Sequence, residues 1–578
     1  MSYTIRFINQ NKQIRVEGGT LAQACEKAGY PLHLVCGGKG ICGKCKVTVE
    51  RDGKLVQVLA CREKVRQDET IYIENDKGFA EGIILVESQK LQVKFHPSIK
   101  KIYRTKEQLM PKRCGSFLQC ASISVLRKYS EWNAEYDFEG CTFIYYEGKI
   151  IDIQKGDTTK TCYGVAVDIG TTTVVCYIYD LVNGHLVKIK SAMNKQMIHG
   201  ADVIARNAFA QERPENLYEL QRLIQETINE MLEEAIKEEP DMQNQIYHMV
   251  LCGNSMMQHL FYGFNPAKLG VSPFANITAQ SIISSAKEVH MHCASEAIVE
   301  FLPLLGGFVG ADTIAVLATL KEDDKNYLMV DLGTNGEIGV GNQNGFFVSS
   351  TACGPALEGG NIACGMRGTT GAIEKVCIDN DEVKIQVVGN SSPYGLCGSG
   401  VIDAVFALRK AGIIDETGAM RTPEQYEKIH PGSRLCSRLH YVEEYNLGFY
   451  FSEGEHPVYI CQKDVRQIQL AKSAIYSGCM TLLAAYGITL EEVDALVLAG
   501  AFGNYINIEH AQDIGLLPPI DRQKIIPVGN GAGRGVQSVL LDSSYRKKIQ
   551  NIQEKSKHIE LADRSDFMEL YVSNINFS

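Results

Sequence analysis

"YGVAVDIGTTTVVCYIYD" (residues 163–180) decides the fold of most of this chain. An apolar run enters Asp168, turns through Gly170 and three threonines, and leaves as a second apolar run. That pattern predicts strand, tight turn, strand. A second version, "YLMVDLGTNGEIGV" (327–340), carries Asp331, Gly333, Thr334 and Asn335, its aspartate 163 positions further on. Two such hairpins predict two related halves. Each loop offers backbone N–H groups and hydroxyls to phosphate oxygens, and each Asp can hold Mg²⁺ directly or through water. Ordinary Asp-Gly hairpins would explain one copy more readily than two at similar places.

Further glycine-rich turns follow where a nucleotide site needs them. They are "PYGLCGSGVID" (393–403), "LVLAGAFGNYI" (496–506) and "PVGNGAGRGVQSVLLD" (527–542). Glycine lets backbone approach a ligand closely, and helix N-termini favour phosphate. None of these turns contains G-x-G-x-x-G, which disfavours a dinucleotide fold.

The N-terminal stretch is of another kind. "VCGGKGICGKCKV" (35–47) matches a phosphate-binding G-x-x-x-x-G-K-[ST] loop over 38–45, except that Cys45 stands where Mg²⁺ would want a hydroxyl. It also spaces Cys36, Cys42 and Cys45 as C-x5-C-x2-C, with Cys61 following. Four thiolates fit a 2Fe–2S cluster, two to each iron, with glycines 37, 38, 40 and 43 letting N–H groups face its sulfurs. A structural zinc favours two C-x2-C knuckles and only one is present, so iron and sulfur is the better reading. Around the loop, "YTIRFIN" and "KQIRVEG" predict a hairpin, and Thr20 caps the helix "LAQACEKAG". Strands "KCKVTVE" and "TIYIEN" follow, a β-grasp order within about 75 residues.

Composition sets the frame. The chain has 578 residues, 45% hydrophobic and 22% charged, enough for two to four domains. No apolar run reaches membrane-spanning length, and "MSYTIRFINQ" has no signal-peptide core, so a cytoplasmic protein is expected. There, 19 cysteines are thiols rather than a disulfide framework. Residues 1–77 hold 13 Lys and Arg against 9 Asp and Glu, a net +4, while the remainder carries −14. A mildly basic electron module suits an acidic partner; plain solvated charge is the alternative. No basic stripe with aromatics occurs, so neither nucleic acid nor membrane is expected as a partner.

The expected architecture is α/β multidomain. Residues 1–78 are a β-grasp 2Fe–2S ferredoxin-like domain, 79–114 a linker and 115–160 a small α+β intermediate domain. Residues 161–578 are an actin/Hsp70-like duplicated ATPase fold with halves at about 161–325 and 326–578. The first 78 residues resemble 2Fe–2S ferredoxins, and the paired hairpins with "LAGAFGN" (498–504) resemble the acetate/sugar kinase, Hsp70 and actin superfamily. The whole chain is similar to the reductive activators of corrinoid proteins. The marks are "AVDIGTTT" (166–173), "NKQMIHGADVIAR" (194–206), "CGNSMMQHL" (252–260), "FVGAD" (308–312), "DLGTNGEI" (331–338), "CGPALEGGNIACGM" (353–366) and "GLCGSG" (395–400).

That resemblance implies ATP-dependent reduction of inactive Co(II) to Co(I) in an anaerobic methyltransferase system such as one for O-demethylation. It implies a corrinoid protein as partner, a low-potential donor such as ferredoxin or flavodoxin, and a homodimer. The cofactors expected are a 2Fe–2S cluster on Cys36, Cys42, Cys45 and Cys61, ATP and Mg²⁺. Asp168 and Asp331 are expected on Mg²⁺ and the attacking water, with Gly170, Thr171, Thr172, Gly333, Thr334 and Asn335 around the phosphates. Gly500, Ala501, Phe502 and Gly503 are expected to border the adenosine. Glu337 and Glu358 are candidates for orienting water, with a structural carboxylate the alternative for each. Met256, Met257 and His259 are expected in the core rather than on cobalt. Two other readings stand beside this one, a small-molecule kinase with a redox-sensing ferredoxin domain and a non-enzymatic ATP-dependent redox scaffold. An activator of a radical dehydratase fits less well, since such proteins lack an N-terminal ferredoxin.

Overall fold

The computed structural model describes residues 2–8, 12–28, 45–51, 54–72, 93–109, 121–443, 446–454, 456–500 and 505–577. Near the N-terminus, strands β1 (Tyr3–Phe7), β2 (Lys12–Val16), β3 (Lys46–Arg51), β4 (Lys54–Leu59) and β5 (Glu69–Tyr72) form one sheet in the order β2-β1-β5-β3-β4. β1 and β5 run parallel and the other pairs antiparallel. The alternation in "YTIRF" puts Ile5 and Phe7 in the core with Val16, Leu21, Cys25, Val49 and Ile71. The helix Leu21–Lys27 starts at a reciprocal cap: Thr20 Oγ1 accepts from Gln23 N at 3.3 Å, and Gln23 Oε1 accepts from Thr20 N at 2.9 Å. This is a β-grasp.

Next come β6 (Ile99–Thr105), β7 (Gly140–Tyr146) and β8 (Lys149–Lys155), an antiparallel meander packed on the helix Ile123–Asn133. β6 lies inside the stretch expected as linker. Its lysines break the apolar alternation, yet it pairs with β7 along its full length, so the small α+β domain starts earlier than the composition implies. One of those lysines explains itself. Lys101 Nζ is bound by neutral oxygens of Gln154, Thr158, Thr161 and Gln245, and burial pulls it down to about 8.

The rest is a duplication. In the first half, β9 (Tyr163–Ile169), β10 (Thr173–Asp180), β11 (Leu186–Met193), β12 (Ile246–Gly253), β13 (Ile282–Ser285) and β14 (Ile298–Phe301) take the order β11-β10-β9-β12-β14-β13. β9, β12 and β14 are parallel, and β10 and β11 fold back antiparallel. Parallel strands covered on both faces need continuous apolar runs, and every residue of β12 is buried.

In the second half, β15 (Tyr327–Leu332), β16 (Gly336–Asn342) and β17 (Gly345–Thr351) form the same meander. Two small sheets are inserted, β18 (Ala372–Asp379) to β20 (Gly395–Leu396) through β19 (Glu382–Val387), and β21 (Leu439–Glu443), β22 (Asn446–Tyr450) and β23 (Tyr459–Cys461). β24 (Ala495–Ala499) and β25 (Ile525–Gly529) then add parallel to β15, and β26 (Lys557–His558) closes the order β25-β24-β15-β16-β17-β26. Both sheets thus place a meander on one side of the Asp-bearing strand and parallel strands on the other. The fold is a duplicated actin/Hsp70-like one.

The chain divides into two compact units, and their boundaries are discontinuous. One unit takes in Ser88–Thr319 and then Ala532–Gln553; the other takes in Leu320–Gly531 and Glu554–Ser578. The returning helix Ser544–Lys555 is held in the first unit by a buried ion pair. Arg546 Nε reaches Glu300 Oε1 at 3.0 Å and Oε2 at 2.9 Å, and its guanidinium also donates to Ser98 Oγ. Burial pushes the Glu300 carboxyl up, but His248 and Arg546 outweigh it and hold it down to about 2. Among the described residues no helix is long and apolar enough to cross a membrane.

Removing one member of a buried pair strands the other's charge. Arg546→Met is therefore expected to cost about 3–5 kcal/mol in chemical denaturation. Adding Glu300→Gln should recover much of it; a double variant no more stable than the single would refute the pairing account.

Candidate functional site

In the N-terminal module, Cys45 stands at the entry to β3, and Ala60 N donates to its carbonyl at 2.9 Å. That bond sets Cys61 beside Cys45, and their Sγ atoms lie 3.1 Å apart, both buried. The separation is far longer than the ~2.05 Å of a disulfide. Two inward thiols this close are the donor set that thiolate-ligated iron takes, so the chain's residues here fit a cluster. Cys36 and Cys42 lie outside the described residues.

In the first half, Asp168 sits near the C-terminal end of β9. Its neighbour in parallel register, Cys252 on β12, directs its thiol at Asp168 Oδ1 across 3.7 Å. The turn Gly170–Thr172 then joins β9 to β10 and is held from several sides. Asn194 Nδ2 donates to Gly170 O at 3.0 Å, Asn194 N to Thr172 O at 2.9 Å, and Asn254 Nδ2 to Thr171 Oγ1 at 3.0 Å. Arg206 donates to Thr171 O.

A further carboxylate joins this group. A Cβ on Gly310 would stand 2.4 Å from Asn254 Cα and 2.6 Å from Gly253 O, so only glycine fits there. The helix Ala311–Thr319 therefore begins directly against the end of β12, with Asp312 in its first turn. Burial raises Asp312 to about 6, and the charge of Asp168 adds to the shift. Two carboxylates that discourage each other's ionisation form a natural seat for a divalent cation.

The second half is built alike. Asp331 is the last residue but one of β15 and stands directly opposite Glu337 on β16, so both side chains leave the same face of the sheet. The turn closes with Gly333 N donating to Asn335 O at 3.1 Å, and Thr334 Oγ1 donates to Glu358 Oε2 at 2.9 Å. Glu358 itself is exposed to solvent. Cys353 lies beneath the turn, 3.6 Å from Gly333 O and 3.5 Å from Thr334 O, its thiol pushed up by burial and by Glu337 and Glu358. Gly500 has φ +91°, and a Cβ there would meet Asp331 Oδ1 at 2.6 Å. It packs on the carboxylate at the sheet end, while Ala501, Phe502 and Gly503 lie outside the described residues.

Met256, Met257 and His259 are buried, and His259 is satisfied by Ser255 O at 2.8 Å and Ile277 N at 3.2 Å. They are core. Asp312, Asn194, Asn254 and Arg206 were not singled out as site residues, although each lies within a motif quoted above. Asn194 and Asn254 carry a signal, each a polar residue directly after an apolar strand, whereas Asp312 and Arg206 lie on helices and carry none.

Three family models match the chain: a 2Fe–2S iron–sulfur cluster binding domain over residues 7–66, the RACo middle region over 163–324, and the C-terminal ASKHA domain of RACo over 325–578. The chain is 40% identical over 575 residues to the corrinoid activation enzyme RamQ of Eubacterium limosum, covering 96% of each. It is 24% identical over 455 residues to the [Co(II) methylated amine-specific corrinoid protein] reductase of Methanosarcina barkeri, covering 72% of this chain and 77% of that one. A solved structure of a reductive activator for a corrinoid, iron–sulfur protein superposes with a TM-score of 0.72 at 30% identity, covering 100% of this chain and 98% of the other.

Asp312 has an expected signature in pH. Its folded value of about 6 lies above the ordinary carboxylate value, so the folded chain binds the extra proton. That contribution to stability is full below about pH 4 and is lost as pH rises through 6. Asp312→Asn should therefore melt higher than the parent at pH 7.5 without nucleotide, with the gap closing by pH 4. A gap constant across pH would remove the carboxylate from the account.

Proposed function

The chain belongs to the family of ATP-dependent reductive activators of corrinoid proteins, and on that premise we propose that it delivers one electron to a partner's corrinoid, converting inactive Co(II) to Co(I). The observation that carries the reading is the joining, in one chain, of the adjacent buried thiols Cys45 and Cys61 to a duplicated ATPase with two Asp-x-Gly-Thr turns. A bound 2Fe–2S cluster supplies one-electron chemistry near about −400 mV. Each further 100 mV required by cobalt costs about 2.3 kcal/mol per electron. A gap of several hundred millivolts exceeds what docking alone is expected to supply, which gives the ATPase its purpose.

Roles for this chain's residues follow. Residues 1–78 form the electron module, with Cys36, Cys42, Cys45 and Cys61 as the thiolate ligands. Residues 161–578 bind and hydrolyse ATP. Asp168 and Asp331 serve Mg²⁺ and the attacking water, with Asp312 as the carboxylate near Asp168, while Gly170, Thr171, Thr172, Gly333, Thr334 and Asn335 face the phosphates. Glu337, opposite Asp331, orients the attacking water, and Glu358 holds the Thr334 hydroxyl that steers the same turn. Gly500, Ala501, Phe502 and Gly503 border the adenosine. The donor is a low-potential ferredoxin or flavodoxin, and the protein works as a cytoplasmic homodimer.

The test is anaerobic absorbance of a Co(II) corrinoid protein mixed with this protein, a low-potential reductant, Mg²⁺, and ATP or none. A Co(I) band is expected only with ATP. Cys42→Ala should abolish it while sparing ATP hydrolysis, and Asp331→Ala should abolish both. If no Co(I) forms with several corrinoid proteins while the cluster is reduced and ATP bound, a small-molecule kinase or a redox scaffold becomes the better account.

A further inference from the structure

Arg206 is fully buried, an unusual place for a guanidinium. Its nearest acceptors are all neutral: Gly200 O at 3.0 Å, Gln196 Oε1 at 3.1 Å, Met257 Sδ at 3.6 Å and Thr171 O. Asp202 adds a favourable charge from further off, but its carboxylate caps its own helix, accepting from Ala205 N at 2.7 Å. Burial pulls the guanidinium down to about 9. A buried charge without a contacting counter-ion costs several kcal/mol, so a fold that keeps one needs compensation.

The geometry shows where compensation can come from. The Thr171 carbonyl points at Arg206, and the peptide is trans, so Thr172 N–H points the opposite way. The same holds one residue earlier. Asn194 Nδ2 holds the Gly170 carbonyl, which turns Thr171 N–H outwards. Two successive amides at the tip of the turn are thus aimed away from the interior, with the cation directly behind them. A cation donating to a peptide carbonyl polarises that peptide and strengthens its N–H as a donor.

We propose that Arg206 is the buried cation of the phosphate site, holding the Thr171 carbonyl from within and supplying positive charge that the phosphates of ATP neutralise across the turn. This rests on the reading of Gly170–Thr172 as a phosphate loop. It makes Arg206 a positioning residue, since it acts through the turn and touches no substrate. A hydrogen-bonding hub of no electrostatic consequence would use the same contacts, but a neutral donor would then serve as well.

Calorimetric titration of the full-length protein with ATP, ADP and adenosine, in Mg²⁺, separates the two. Arg206→Gln, which keeps donors and loses charge, is expected to weaken ATP binding about tenfold or more, ADP less, and adenosine hardly at all. Arg206→Lys, which keeps charge and loses the fork, should retain most of the preference for ATP over adenosine. Equal weakening for all three ligands in Arg206→Gln, or none, overturns the proposal. Should the Gln variant fail to fold, the Lys variant decides alone, because loss of its ATP-over-adenosine preference would also overturn it. Thr171→Ala guards the premise. If it leaves ATP affinity unchanged, the phosphate-loop reading fails and the proposal with it; if it weakens ATP while Arg206→Gln does not, only the proposal for Arg206 fails.

Discussion

The contact of Gly310 with the backbone of Gly253 and Asn254 is the constraint on which the first half's chemistry depends. A side chain at Gly310 would push the following helix off the end of β12, taking Asp312 away from Asp168. Because the approach is backbone on backbone, the distance is set by steric contact between main-chain atoms and not by adaptable side chains. Asn254, locked there, caps its own helix through Met257 N at 3.0 Å and also holds the Thr171 hydroxyl. One residue thereby ties the turn, a helix start and the carboxylate pair to a single rigid point.

The two halves share a strand order and differ in what stands behind each turn. Behind Gly170–Thr172 lie amides and a cation, Asn194, Asn254 and Arg206. Around Gly333–Asn335 lie carboxylates and a thiol, Glu337, Glu358 and Cys353. Duplication supplied two similar frames, and different side chains have come to hold the two turns.

Much of this was legible in the sequence, for identifiable reasons. The turns at Asp168 and Asp331 are local: strand, acid, glycine and hydroxyls are contiguous, so spacing reveals them. The cysteines proposed as ligands are local too, apart from Cys61, whose place beside Cys45 depends on a backbone bond from Ala60 to Cys45, just before β3. Asp312 and Arg206 were not legible as site residues because each reaches the turn region through tertiary packing, from 144 and 38 positions beyond Asp168. β6 was hidden for the opposite reason. Its lysines look like solvated charge, and only the oxygens gathered around Lys101 show why one is interior.

The return of Ala532–Gln553 to the first unit has a consequence for how the protein is made. A ribosome releases Ser88–Thr319 early, but that unit lacks the helix bearing Arg546 until roughly 230 further residues have been translated. At about 5–20 residues per second, this is a wait of roughly ten to fifty seconds. During it, Glu300 has no Arg546 to meet, although the strands that pair with β14 are already made. The first unit therefore closes only when the segment Ala532–Gln553 arrives, which makes the far end of the chain its clasp.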